Sequence, residues 1–320
     1  MSRYHRVVSI WRRAGEALPA GVYDELLTDA TQARLDRLAA THQAHTIDVG
    51  ASTSIDDQLI TLVRDAASLA IRDARNTDHK LDIARRLLQQ LATEPAFRGN
   101  ELALRPTLLR SIALQIAPAP APPRESLLSS GLITNAHGES VLEHLASEFE
   151  TADRISLLCS FIKLSGLDKF RHLIERHRAL GRPLRVLTTT YMRATEAKAI
   201  ELLHRLGAEV RVSYDDSTTR LHAKAWIFHR DSEYSTAYVG SSNLSHAAQT
   251  EGLEWNVRIA QADQPDLLEE MDSVFESYWL DPDTFEPFDG TDPARLRLRR
   301  ALAETERGPE LTTLDRKSVV

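Results

Sequence analysis

The chain has 320 residues, 42% of them hydrophobic and 27% charged, enough for two soluble globular domains. Its one cysteine, Cys159, excludes an intrachain disulfide framework and a cysteine-based zinc site, and no stretch approaches the roughly 20 apolar residues that span a membrane. The formal net charge of −7 argues against a polyanion ligand until it is mapped: residues 261–294 hold 11 acids and no Lys or Arg, while residues 126–260 hold 16 of each.

The N-terminal apolar run Val7–Trp11 is too short for a signal core, so the expected location is a reducing cytoplasm. Residues 1–116 read as a helical domain. Ile55, Leu59, Leu62, Val63, Ala66, Leu69 and Ala70 form one helical stripe behind a possible capping pair, Ser54 and Asp57. Leu81, Ala84, Leu87, Leu88 and Leu91 form a second. Nothing in this part carries motif-grade chemistry. Residues 117–125 include the run Ala117-Pro-Ala-Pro-Ala-Pro-Pro123, a semi-rigid linker.

From residue 126 to 290 the pattern alternates. Ile155–Leu164 predicts a buried strand, Leu167–Leu180 a helix, Leu184–Thr190 a strand, Thr195–Leu206 a helix and Glu209–Tyr214 a strand. Leu221–His229 and Thr236–Val239 pair as a hairpin. Asn256–Ile259 is a further strand and Pro265–Trp279 a closing helix. The expected fold class is α/β, a mixed sheet flanked by helices and preceded by the smaller all-helical domain. The polar tail, residues 291–320, and the chain from Pro282 onward are expected to be loose. No Walker A pattern occurs in the chain.

Two short motifs stand out, Leu221-His222-Ala-Lys224 and Gly240-Ser241-Ser242-Asn243. If the first lies on a strand, His222 and Lys224 leave the same face. Ser241 and Asn243 repeat the two-residue spacing at the end of the next strand. A nucleophile or acid, a cation and neutral donors suit a phosphodiester.

This pattern resembles the phospholipase D superfamily, whose signature is His-x-Lys followed by Gly-Ser-x-Asn. The wording Val239-Gly-Ser-Ser-Asn-Leu-Ser245 and Gly252-Leu-Glu-Trp-Asn-Val257 is similar to the phospholipase D-like domain at the N-terminus of some bacterial DEAD/DEAH helicases. Cys159-Ser-Phe-Ile-Lys163 and Leu187-Thr-Thr-Thr-Tyr191 fit the same branch. The resemblance covers about residues 130–290. It implies a phospholipase D fold and a metal-independent phosphodiesterase, acting as a nuclease through a phosphohistidine. Catalytic roles would fall to His222, Lys224, Asn243 and Glu254. Substrate phosphate would be held by Ser241, Lys224 and Asn243. Neither metal nor cofactor is expected. Glu254 is expected to accept from the other ring nitrogen of a catalytic His, fixing its tautomer.

The chain departs from the family where an Asp usually follows five positions after the Lys. That position is His229, and the spacer to Gly-Ser-x-Asn is four residues longer, so Asp231 could stand in within an expanded turn. No other His is followed two residues later by Lys. Two such histidines are needed, so the resemblance implies a homodimer sharing one composite site. The implied partners are nucleic acid, DNA ahead of RNA, and a separate helicase or defence protein, with no membrane. Two alternatives stay open: a non-catalytic module that grips nucleic acid or a partner, and a lipid or small-molecule phosphodiesterase.

Other residues have bland readings. Ser160 and Tyr191 could touch substrate or pack. His229 and His246 are neighbours of the motifs, and Asp215-Asp216 resembles a pair of divalent-ion ligands, which a polar loop after a strand explains equally well. Trp255 and Trp279 read as core, with base stacking a minority role. Arg295, Arg297, Arg299 and Arg300 read as a solvated helix end.

Overall fold

A computed structural model describes residues 26–39, 41–46, 55–97, 102, 109–110, 123–135, 140–215, 221–245 and 254–303. The chain divides into two compact units, residues 1–109 and 110–320. The expected linker lies mostly outside the described residues, as do Ser54, Asp216, His246 and the run Val7–Trp11.

The first unit holds helices α1 (Asp29–Leu38), α2 (Ile55–Arg72) and α3 (Thr77–Leu91). Thr28 caps α1 and Asn76 caps α3, each side chain accepting from a first-turn amide. The helices form where the apolar period predicts them. The stripe itself is not buried: Leu59, Val63, Leu69, Leu87 and Leu91 are exposed. A pair of helices can cover only the positions that face each other.

The second unit is built on one eight-stranded sheet of order β1-β7-β6-β5-β2-β3-β4-β8. The strands are β1 (Gly131–Thr134), β2 (Arg154–Cys159), β3 (Leu184–Thr189), β4 (Glu209–Ser213), β5 (Lys224–His229), β6 (Thr236–Gly240), β7 (Trp255–Ala260) and β8 (Glu286–Pro287). β2, β3 and β4 run parallel and every other pairing is antiparallel. The parallel crossovers are α5 (Leu164–Ala179) and α6 (Ala197–Arg205), joined on one face by α4 (Val141–Phe149). Ser140 and Glu143 close a reciprocal capping box at the start of α4. The opposite face is covered by α7 (Pro265–Trp279), which packs Leu268, Phe275 and Trp279 on Leu158, Leu187, Ile227, Ala237 and Ile259. Among the described residues no helix is long and apolar enough to cross a membrane.

The stretch 282–303 is not loose as expected. It adds β8 to the sheet edge and a further helix, α8 (Asp292–Ala303), whose Leu298 is fully buried. Its arginines made it read as a solvated end. Two of them are held by carboxylates on neighbouring elements: Arg297 pairs with Glu286, and Arg299 binds Glu201 at 2.8 and 3.0 Å.

One buried ionic network ties α4 to the sheet. The Glu148 carboxylate, fully buried, accepts from Arg230, from Arg258 Nε at 3.0 Å, from Thr236 at 3.0 Å and from Tyr238 at 2.9 Å. Burial opposes its ionisation, but Arg230 and Arg258 outweigh that and hold its pKa below the ordinary carboxylate value. Arg258 also donates to the carbonyls of Ser126 and Ser129, both at 2.9 Å.

Candidate active site

The motif residues converge on one edge of the sheet. The parallel strands β2, β3 and β4 end there, β6 ends there, and β5 and β7 begin there. The predicted strand Leu221–His229 starts at Lys224, so His222 lies just before β5. It is still fixed. Ala223 O accepts from Ser160 N at 3.1 Å and from Ser160 Oγ at 2.8 Å, extending the β2–β5 pairing by one step. Ser160 is fully buried, so its role here is to clamp the motif backbone.

His222 is exposed, whereas Lys224 is 7% exposed and sits opposite Cys159 in the ladder. The ammonium of Lys224 donates to His222 O at 2.7 Å and lies 3.0 Å from Nδ1 and 3.3 Å from Nε2. A ring nitrogen without a proton is thus offered a donor. The Phe161 ring meets His222 edge-on at 5.5 Å and lies under the Lys224 ammonium, also at 5.5 Å. Burial pushes the Lys224 pKa down; Cys159 and the carboxylate of Glu254 pull it the other way without reversing the shift.

The Gly-Ser-x-Asn motif follows β6, and its glycine is required by packing. A Cβ on Gly240 would strike Trp255 O and Asn256. Ser241 then clasps the start of β7: its N–H donates to Trp255 O at 3.1 Å, and its Oγ accepts from Trp255 N at 3.2 Å and donates to Glu254. Asn256 Nδ2 donates to Ser242 Oγ at 2.8 Å. Asn243 Oδ1 is buried with no hydrogen-bond partner among the described residues. Its backbone is held by the next residue. Leu244 N donates to Phe161 O at 3.2 Å, and Leu244 O accepts from Lys163 N at 2.9 Å. Gly166 makes room, since a Cβ there would strike the Leu244 backbone. The sequence offered Ser160 as a substrate contact or packing residue and Phe161 only within a family-like run; that Ser160, Phe161 and Gly166 support the motifs depends on contacts between elements that no local pattern encodes.

Three expectations need correction. Glu254 bonds Ser241 rather than His222, because the β6–β7 clasp places it two strands from β5. Trp255 is not core: it is 69% exposed, on the part of the α7-side face that α7 does not cover. His229 is no neighbour of the site. It ends β5, about 17 Å of strand from Lys224. There it lies 3.0 Å from Arg154 Nη2 and 3.1 Å from Ser156 Oγ, and burial followed by Arg154 and Arg185 pushes its pKa down to about 3. Asp231, the possible substitute, is exposed in the hairpin turn with its N–H on Asp153. Trp279 is core as expected, and Cys159 is buried with its pKa raised to about 11. Tyr191 is half-buried, its N–H on Thr189 Oγ1. Among the described residues no three His, Cys, Asp or Glu side chains are grouped to hold a metal.

Residues 145–279 match the family model described as cardiolipin synthase, PLD-like domain. No curated protein sequence matches the chain. Solved structures similar to it include Nuc of Salmonella typhimurium, a phospholipase D family member, at 18% identity over 50% of this chain and 97% of that one, TM-score 0.40. NucT from Helicobacter pylori shares 13% identity over 50% of this chain and 99% of that one, TM-score 0.38. The phosphatidylserine synthase of Haemophilus influenzae Rd KW20 shares 14% identity over 56% and 45%, TM-score 0.38. All five predicted site residues fall within the matched segment, whose fold is phospholipase D-like.

Proposed function

We propose that this chain is a metal-independent phosphodiesterase acting as a nuclease, with DNA as the expected substrate and bacterial DNA defence or processing as its setting. The observation that carries the reading is the buried Lys224 ammonium beside the exposed His222 ring, on the edge where Ser241, Asn243 and Glu254 also gather. His222 attacks phosphorus and forms a phosphohistidine. A second imidazole protonates the leaving oxygen and then takes a proton from the water that releases the phosphate. Lys224, with Ser241 and Asn243, opposes charge on the non-bridging oxygens. Glu254 orients Ser241 for that task.

The second imidazole is His222 of a twofold-related copy, so the active unit is a homodimer. The bound substrate splits the roles of two identical residues. The helical unit, bounded by the Pro/Ala segment, docks a partner such as a separate helicase.

The test is cleavage of labelled single- and double-stranded DNA and RNA in excess EDTA. Cleavage that survives the chelator supports the reading. Activity restored only by magnesium or manganese overturns the metal-free route. Binding without cleavage favours a grip module, and hydrolysis of phospholipid alone favours a lipid enzyme. Mixed dimers of wild-type and His222→Ala chains should be nearly inactive; half of wild-type activity would mean that each chain works alone.

A further inference from the structure

The segment Ser160–Lys163 leaves β2 at the site edge and touches both motifs. Phe161 O accepts from Leu244 N at 3.2 Å and Lys163 N donates to Leu244 O at 2.9 Å, a parallel bridge between Ile162 and Leu244. Those two bonds hold Ile162 extended, and Lys163 itself is extended at φ −109° and ψ 148°. Side chains alternate along such a segment. Ile162 and Leu244 are buried in the core, so Phe161 and Lys163 leave the opposite side. On that side the Phe161 ring meets His222 and the Lys224 ammonium, each at 5.5 Å. We propose that Lys163 binds the phosphate next to the scissile one, so that the site selects a substrate with consecutive phosphodiesters, a nucleic-acid strand, over one with a single phosphodiester. This rests on the nuclease reading and names its substrate requirement.

Reach and charge both fit. Lys163 stands two residues from Phe161, about 7 Å along an extended backbone. That step is close to the spacing of successive phosphates in an extended nucleic-acid strand. The bond to Leu244 ties Lys163 to the residue after Asn243, one of the groups assigned to the scissile phosphate. Its side chain is exposed, and among the described residues its ammonium forms no hydrogen bond or ion pair. Glu196, the carboxylate at the start of α5, is bonded to Leu164 N at 2.9 Å.

The two lysines therefore differ in kind. Lys224 is buried and fixed on His222 O, beside the reacting group. Lys163 is a point charge on a flexible stem, which can follow a phosphate but reads no base. A phosphate neutralised there releases a counterion, so the contact is visible in the salt dependence.

The full-length protein is assayed in EDTA on a labelled single-stranded oligonucleotide and on bis(p-nitrophenyl) phosphate, which has one phosphodiester. Lys163→Met keeps the stem and removes the charge. It should raise KM on the oligonucleotide roughly tenfold, leave kcat within about twofold and change neither on the small diester. The slope of log KM against log salt should fall by about 0.7. Lys163→Arg should restore most of the affinity. An uncharged methylphosphonate is then placed on each side of the cleaved bond in turn. On one side it should cost the wild type the same factor and cost Lys163→Met nothing more, because both changes remove one contact. Equal losses from Lys163→Met on the oligonucleotide and the small diester would overturn the proposal. So would an unchanged salt slope, or a fall in kcat that Lys163→Arg does not restore, which would assign Lys163 to the scaffold of the motifs. Wild type indifferent to the methylphosphonate on either side overturns it while the nuclease reading stands. Wild type that cleaves no nucleic acid fails the nuclease reading itself.

Discussion

At the start of β5, His222 is exposed, Lys224 has a carbonyl and a ring edge as its partners, and Asn243 Oδ1 has none among the described residues. At the end of the same strand, His229 sits in a closed ionic cluster. Arg154 meets Glu276 at 3.1 Å and Asp272 at 3.6 Å; Arg185 meets Glu276 at 3.0 Å and stacks on Phe275 and Trp279 at 5.2 and 5.1 Å. Both ends combine histidine, cation and carboxylate. Under the proposed function the first end offers its groups to an incoming phosphate, whereas the second ties α7 to the sheet through Arg154 and Arg185 on Glu276. The difference lies in which partners the fold supplies, so residue type alone does not tell the two ends apart.

The sharpest way to separate structure from chemistry is Glu148→Ala. It leaves Arg230 and Arg258 buried without their counterion, which typically costs about 3–5 kcal/mol. Urea unfolding should show that loss, while kcat per folded molecule stays unchanged. A stable but inactive variant would place Glu148 in the chemistry instead.

Lys224→Ala should do the reverse. Removing a positioned charge from the transition state should lower kcat roughly 10²- to 10³-fold. Thermal stability should hold or rise slightly, because no described carboxylate pairs directly with this buried cation. A large fall in the unfolding midpoint with kcat intact would make Lys224 a structural residue.

His229 sets the smallest effect, and it appears in the pH dependence. Its folded pKa of about 3 lies below the unfolded value near 6.5, so the unfolded chain takes the proton first as pH falls. Its contribution is therefore present above pH 6.5 and is lost progressively toward pH 3. Between pH 7 and pH 5 the loss is about 2 kcal/mol. His229→Asn should flatten the pH dependence of urea midpoints in that window by this amount. An unchanged slope would mean that His229 is not held neutral.

Much of this was legible in the chain. Alternating apolar runs from Ile155 to Tyr214 announce parallel crossovers, and the two motifs name the site edge. Several features were not legible. β8 is two residues long, and α8 buries Leu298 among arginines whose partners, Glu286 and Glu201, come from other elements. Nothing local marks Glu148 as a buried ion, because its four partners lie 82 to 110 residues away. His229 occupies a family motif position yet is bound into the α7 cluster, a contact that no local pattern encodes. Trp255 has the local signature of a buried strand; its exposure depends on where α7 stops.

The account stands on His222 as the group that attacks phosphorus. The direct measurement is mass spectrometry of protein quenched in alkaline detergent, which preserves the acid-labile P–N bond, during turnover of a short oligonucleotide in EDTA. A phosphoryl-nucleotide adduct on the peptide containing His222, absent from His222→Ala, is the predicted result. Turnover without any adduct on His222, or an adduct unchanged in His222→Ala, would contradict it.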